Sequence, residues 1–279
     1  MKHVDAELPS RQLHLHLRSV SGRSQLPIVF LHAFPLQGGM WEPQLAALAN
    51  QGWTAYAPDL RGFGLTRPLP GADEAVTMEV MAQDVVALLD FYQHARAVLV
   101  GLSMGGYVAM AMARAYPERV AGLVLADTRP GADGPEVRAN RERTARLALE
   151  KGVRAVAETM VGGLLRPGAG QDEVEAVLAL AGQNDPAGVA AAARGMALRP
   201  DSTDTLRRLD CPALVLVGEH DGLSPVTVAE SMASALPRGR LVVIPRAGHL
   251  ANMENPGSFS TALLSFLREG FTRQATMLS

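Results

Sequence analysis

The spacing of apolar residues changes period several times along the chain, and each change marks an element. Near the start, Leu13, Leu15 and Leu17 alternate with His14, His16 and Arg18. That alternation predicts a half-exposed strand, antiparallel to an earlier one around Val4 to Leu8. PIVFLHAF at 27–34 reads as a buried strand, Trp41 to Asn50 as a helix and WTAYAPDL at 53–60 as another strand. Met78, Met81, Val85, Leu88 and Tyr92 then recur at helical spacing, with Thr77 as N-cap. Val98 to Val100 is β-branched and apolar and runs into a buried helix from Met104 to Tyr116, after which AGLVLADT at 121–128 is the next strand.

After Thr128 the rhythm breaks. Residues 129–205 carry alanine-rich, arginine-bearing helical segments and no convincing strand, with Pro130, Gly131, Gly134 and Pro135 at the entrance and Pro200 to Thr205 at the exit. Alternation resumes with PALVLVGEHD at 212–221, a helix capped by Ser224 with Pro225 at its first position, and RLVVIPRAGH at 240–249. A final helix starts at Asn255 and Pro256 with Phe259, Leu263 and Phe266 on its apolar face, and the tail from Thr272 is expected to fray. Strands alternating with helices predict an α/β fold with a mostly parallel sheet. The core is expected over 1–128 and 206–279, with 129–205 as an inserted helical cap.

Composition narrows the partners. With 279 residues, 48% hydrophobic and 19% charged, the chain can bury one large core, and a formal net charge of −2 gives no broad basic field. Neither nucleic acid nor an anionic membrane is indicated, which favours small-molecule chemistry. The N-terminus lacks the continuous apolar core of a secretory signal and no run approaches a membrane span, so a cytoplasmic location is expected. The single cysteine, Cys211, offers neither an internal disulfide nor a metal cluster and reads as a small buried hydrophobe. Neither metal nor cofactor is implied, and nothing in the pattern specifies an assembly state.

The chemistry centres on Gly101-Leu102-Ser103-Met104-Gly105, a serine placed between glycines where a strand meets a helix. Such an abrupt change forces the serine into a strained turn, and the flanking glycines remove side chains that would collide there. A hydroxyl is a poor nucleophile at neutral pH and needs a base, with a further group to hold that base in the right tautomer. His249 follows the last strand and Asp221 ends the strand before it. Parallel strands bring their C-terminal ends to one edge, so Ser103, Asp221 and His249 are expected to meet there.

HAFP at 32–35, DLRGFG at 59–64, GLSMGG at 101–106, GEHDGLSP at 218–225 and AGHLANMENP at 247–256 stand in the order of the α/β-hydrolase superfamily, which the sequence resembles over nearly its whole length. The resemblance implies Ser103 as nucleophile, His249 as base and Asp221 as acid. Asp127, after the preceding strand, is the rival for the acid. A serine rather than an aspartate at the elbow separates the chain from the dehalogenating and epoxide-opening relatives. Met104, just after the nucleophile at the positive end of its helix, is expected to supply one backbone N–H to the oxyanion. By resemblance the other comes from Phe34, where this chain departs from the family in carrying Ala33 in place of the usual glycine.

Within the superfamily the chain looks most like enol-lactonases and small carboxylesterases, which implies a small carboxylic ester or lactone as substrate. Perhydrolases or cofactor-free haloperoxidases, carbon–carbon bond hydrolases and non-catalytic receptors share the elbow and are the alternatives. His32 is expected to brace the oxyanion loop, Asp59 and Arg61 to tie down a loop, and Glu219 to be structural. The arginines at 138, 141, 143 and 146 read as a solvated helix face rather than a carboxylate site. Phe34, Trp41, Met104, Met160 and Leu164 are the residues expected to make the site apolar.

Overall fold

Aliphatic runs without polar alternation can be stable as strands only when both faces are covered, which a parallel sheet between helices provides. The computed structural model, which describes residues 1–71 and 73–271, has this arrangement. In chain order the elements are β1 (Lys2–Leu8), β2 (Leu13–Val20), β3 (Ile28–Leu31), α1 (Glu42–Ala49), β4 (Ala55–Pro58), α2 (Met78–Phe91), β5 (Ala97–Leu102), α3 (Met104–Ala115) and β6 (Val120–Ala126). Four helices follow: α4 (Pro135–Leu164), α5 (Gln171–Gly182), α6 (Pro186–Ala197) and α7 (Thr203–Arg208). The chain then runs through β7 (Ala213–Gly218), α8 (Val226–Ala235), β8 (Gly239–Ile244), α9 (Ala251–Glu254) and α10 (Pro256–Phe271).

The eight strands form one sheet in the order β1-β2-β4-β3-β5-β6-β7-β8. Only β1 with β2 and β2 with β4 pair antiparallel. Leu102 lies opposite Ala126, Ala126 opposite Leu216, and Gly218 opposite Ile244. That register aligns the C-terminal ends of β5 to β8, so the loops leaving them share one edge.

Three local expectations are corrected. β2 is not half-exposed: it lies between β1 and β4, and His16 and Arg18 are buried, with Asp5 2.7 Å from the His16 Nδ1 and Asp59 accepting from Arg18 at 3.0 Å. A polar residue at the period of an exposed face is thus buried with a charged partner. Trp41 closes a 3-10 turn at Gly38–Trp41, and the α-helix begins only at Glu42. Pro225, not Ser224, occupies the cap position of α8, its carbonyl accepting from the Val228 and Ala229 N–H groups, while the Ser224 N–H donates to Asp221. Other expectations stand: Thr77 accepts from the Val80 N–H to cap α2, and the Asn255 side chain accepts from the Ser258 N–H at the start of α10. The segment from Thr272 lies outside the described residues.

Candidate active site

At the β5–α3 junction, Ser103 adopts φ 54° and ψ −113°, a positive φ costly for any residue with a side chain. The neighbouring glycines permit it by close approach. A Cβ on Gly101 would lie 2.3 Å from the Gly105 carbonyl oxygen, and one on Gly105 would lie 2.0 Å from that of Leu31. The turn is pinned through its backbone: the Ser103 N–H donates to Ala126 O at 3.0 Å, and the Ser103 carbonyl accepts from the Thr128 hydroxyl at 2.8 Å. The half-buried hydroxyl is left over, with no hydrogen-bond partner among the described residues.

His249 and Asp221 meet on the same edge. The ring Nδ1 lies 2.9 Å from Asp221 Oδ2, and both residues are buried. Asp221 Oδ1 accepts from the backbone N–H groups of Leu223 at 2.8 Å and Ser224 at 2.9 Å. Burial pushes this carboxyl up, but the hydrogen bond and charge of His249 and the two backbone donors outweigh it and hold it below its usual range. With a carboxylate accepting at Nδ1, the ring keeps its proton there and presents Nε2 as an acceptor. The structure joins His249 to Asp221 and shows no hydrogen bond from the ring to Ser103 among the described residues.

Asp127, the rival acid, leaves β6 at φ 45° and bonds to the end of β7 rather than to His249. Its Oδ1 accepts from the Gly218 N–H at 2.7 Å, while Oδ2 is buried without a partner. Burial first, then the charge of Asp221, pushes its carboxyl well above the usual range, against the pull of the Gly218 N–H. A carboxyl shifted up in this way binds its proton more tightly in the folded chain than in the unfolded one, so its contribution to stability falls as pH rises above the ordinary carboxylate range. Asp127→Asn can still accept from Gly218 and has no proton to lose. Its unfolding free energy in urea is expected to fall less than that of the parent between about pH 5 and about pH 8. Identical slopes would rule out a protonated Asp127.

The loop after β3 is braced as its sequence suggested. Burial pushes His32 down to about 4, so the ring is neutral: Nε2 accepts from the Leu60 N–H at 3.0 Å and Nδ1 faces the Ala33 carbonyl at 3.1 Å. Asp59 accepts from Gly38 and Leu65 N–H groups as well as Arg18, and Arg61 forks onto Asp84 at 2.7 Å. The Phe34 and Met104 N–H groups have no acceptor among the described residues. Two unbonded donors, a turned-out hydroxyl and an oriented imidazole are the parts needed to activate an alcohol and hold an oxyanion.

Not every expected residue serves this edge. Trp41 is fully buried and packs on Phe30 and Phe259, with ring centroids 4.9 and 5.8 Å away, and so belongs to the core. Arg138, Arg141, Arg143 and Arg146 bond to Asp133, Asn140 and Glu142 in their own segment. Glu219 accepts from the Arg246 N–H, and Cys211 is buried, with its thiol pushed up to about 11 by desolvation. Sequence reasoning missed Glu254. Its carboxylate accepts from Gly248 N–H at 2.6 Å and Arg166 N–H at 2.8 Å, tying the His249 loop to the end of α4. Its place in the MENP segment was the available signal.

A mostly parallel eight-stranded sheet with a serine turn after β5, a carboxylate after β7 and a histidine after β8 is the arrangement of an α/β hydrolase. The chain belongs to the alpha/beta hydrolase fold family, whose model matches residues 27–256. Within it, the chain is similar to a thermophilic esterase from Thermogutta terrifontis solved with malate bound, at 40% identity over 98% of this chain and 100% of that one, with a TM-score of 0.90. The enol-lactonase from Burkholderia xenovorans LB400 shares 26% identity over 95% of this chain and 99% of its own, with a TM-score of 0.84. The 3-oxoadipate enol-lactonase 2 of Acinetobacter baylyi is 26% identical over 269 residues, 95% of this chain and 97% of that protein.

Proposed function

We propose that this protein is a serine hydrolase that opens a small carboxylic ester or lactone through an acyl-enzyme. The observation that carries the reading is the buried His249–Asp221 pair, 2.9 Å apart, on the sheet edge where Ser103 stands at a positive φ with its hydroxyl unbonded. Ser103 Oγ attacks the substrate carbonyl carbon and its proton passes to His249 Nε2. Asp221 stabilises the resulting imidazolium. Phe34 and Met104 N–H groups hold the oxyanion, collapse expels the alcohol oxygen, and that oxygen takes the proton from His249. A water molecule then gives its proton to the same nitrogen and attacks the acyl carbon, and collapse releases the acid as Ser103 Oγ takes that proton back from His249. The mechanism requires a Ser103–His249 hydrogen bond in the substrate complex.

Residues 129–205 act in this reading as a cap over the edge, on the core formed by 1–128 and 206–279. Similarity to an esterase and to enol-lactonases supports the choice of ester or lactone. Among the described residues no helix is long and apolar enough to cross a membrane. A panel of p-nitrophenyl esters of increasing acyl length, assayed beside several lactones, is expected to give turnover on short members of at least one series, with a fluorophosphonate labelling Ser103. Folded protein that neither labels nor turns over either series would overturn the assignment.

A further inference from the structure

Two consecutive residues of the segment between α5 and α6, Gln183 and Asn184, reach from the cap into the loop that carries Phe34. Asn184 is buried, and its amide is fully used: Nδ2 donates to Pro35 O at 2.8 Å and to Ala181 O at 3.2 Å, while Oδ1 accepts from the Gly64 N–H at 2.7 Å. One side chain thus clamps the carbonyl of Pro35, the residue after Phe34, and the turn at 60–64 on which the Phe34 ring rests edge-on against Phe63, centroids 6.4 Å apart. Beside it, Gln37 Nε2 donates to Gln183 Oε1 at 3.0 Å, and Gln37 Oε1 accepts from the Gly39 N–H at 2.5 Å. The backbones meet here too. A Cβ on Gly188 would lie 1.6 Å from the Gly62 carbonyl oxygen, so α6 sits directly on the same turn.

The core holds Ala33 on one side of Phe34, with the Ala33 N–H donating to Met40 Sδ at 3.2 Å and His32 Nδ1 3.1 Å from the Ala33 carbonyl, and Asn184 holds the Pro35 carbonyl on the other. Pro35 has no N–H to donate, and the turn that follows is closed by one backbone bond, from Leu36 N–H to Ala33 O at 2.9 Å. We propose that Asn184 is a positioning residue through which the cap sets the Phe34 N–H, so that the oxyanion hole is completed by the cap rather than by the core alone. The inference rests on the serine-hydrolase reading and on Phe34 as a donor within it. An N–H displaced by a fraction of an ångström still lets substrate bind but loses its grip on the oxyanion, whose bond is strongest in the transition state. The loss falls on kcat.

The test uses the full chain with Asn184→Ala and the size-preserving Asn184→Asp, which keeps the acceptor for Gly64 and removes the donor to Pro35. Active sites are counted by the burst of p-nitrophenol, so that unfolded molecules do not enter kcat. Both variants are expected to lose about 10- to 100-fold in kcat per titrated site with KM within about threefold, and to bind a trifluoromethyl ketone, which fills the oxyanion hole, more weakly by a similar factor. Parent-like kcat per site in both variants, or a loss confined to KM, overturns the proposal. If Ser103 of the parent is not labelled by a fluorophosphonate, the hydrolase reading itself has failed. Labelling and turnover in the parent with indifferent Asn184 variants sink the positioning role alone.

Discussion

Ser103→Ala is expected to lower kcat by about a thousandfold or more while leaving the unfolding midpoint near that of the parent. The hydroxyl has no hydrogen-bond partner among the described residues, so its removal costs the fold no bond, and the turn is held by backbone bonds to Ala126 and from Thr128 that alanine keeps. What disappears is the atom that the proposed mechanism uses to form the acyl-enzyme. Residual turnover over water then comes from the two N–H donors and from binding. Steady-state hydrolysis of the best ester, with thermal unfolding in parallel, checks both halves. Parent-like activity would show that another group attacks the carbonyl.

Asp221→Asn is expected to cost about 10⁴-fold in kcat, and Asp127→Asn far less, about tenfold at most. The reason is the tautomer. Asp221 accepts at His249 Nδ1, which leaves Nε2 as an acceptor for the serine proton. An asparagine can turn its NH₂ toward Nδ1 and reverse that choice, placing the ring proton on Nε2, where a base must be empty. Asp127 bonds to Gly218 rather than to the histidine, and asparagine can take over that contact. kcat measured on both variants at the same pH decides between the two carboxylates. A larger loss at Asp127 would move the acid to β6.

Much of this was legible along the chain because it depends on local rules. A β-branched run ending in Gly-x-Ser-x-Gly, a Thr77 cap or an Asn255-Pro256 helix start needs only a few neighbouring residues to be specified, and each falls where its pattern placed it. His32 and Asp59 also read correctly as braces, since a loop rich in backbone donors must find acceptors, and Arg61 ties the same turn to Asp84 by donating to its carboxylate. Periodicity misled where a partner lay far away. His16 and Arg18 alternate like surface residues and are buried where Asp5 on β1 and Asp59, just past β4, meet them. Trp41 looked like pocket lining and is core because α10 covers it with Phe259.

The amino-acid order by itself determined the fold class, the edge on which the loops gather and the side chains carried there, because strand register and turn chemistry are set by short-range pattern. Tertiary structure alone decided which of two carboxylates holds His249, that Glu254 fastens the histidine loop to α4, and that Asn184 reaches the loop of Phe34 from 149 positions away. These are directional bonds between residues distant in sequence. Their partners follow from how whole elements pack, which no local period encodes.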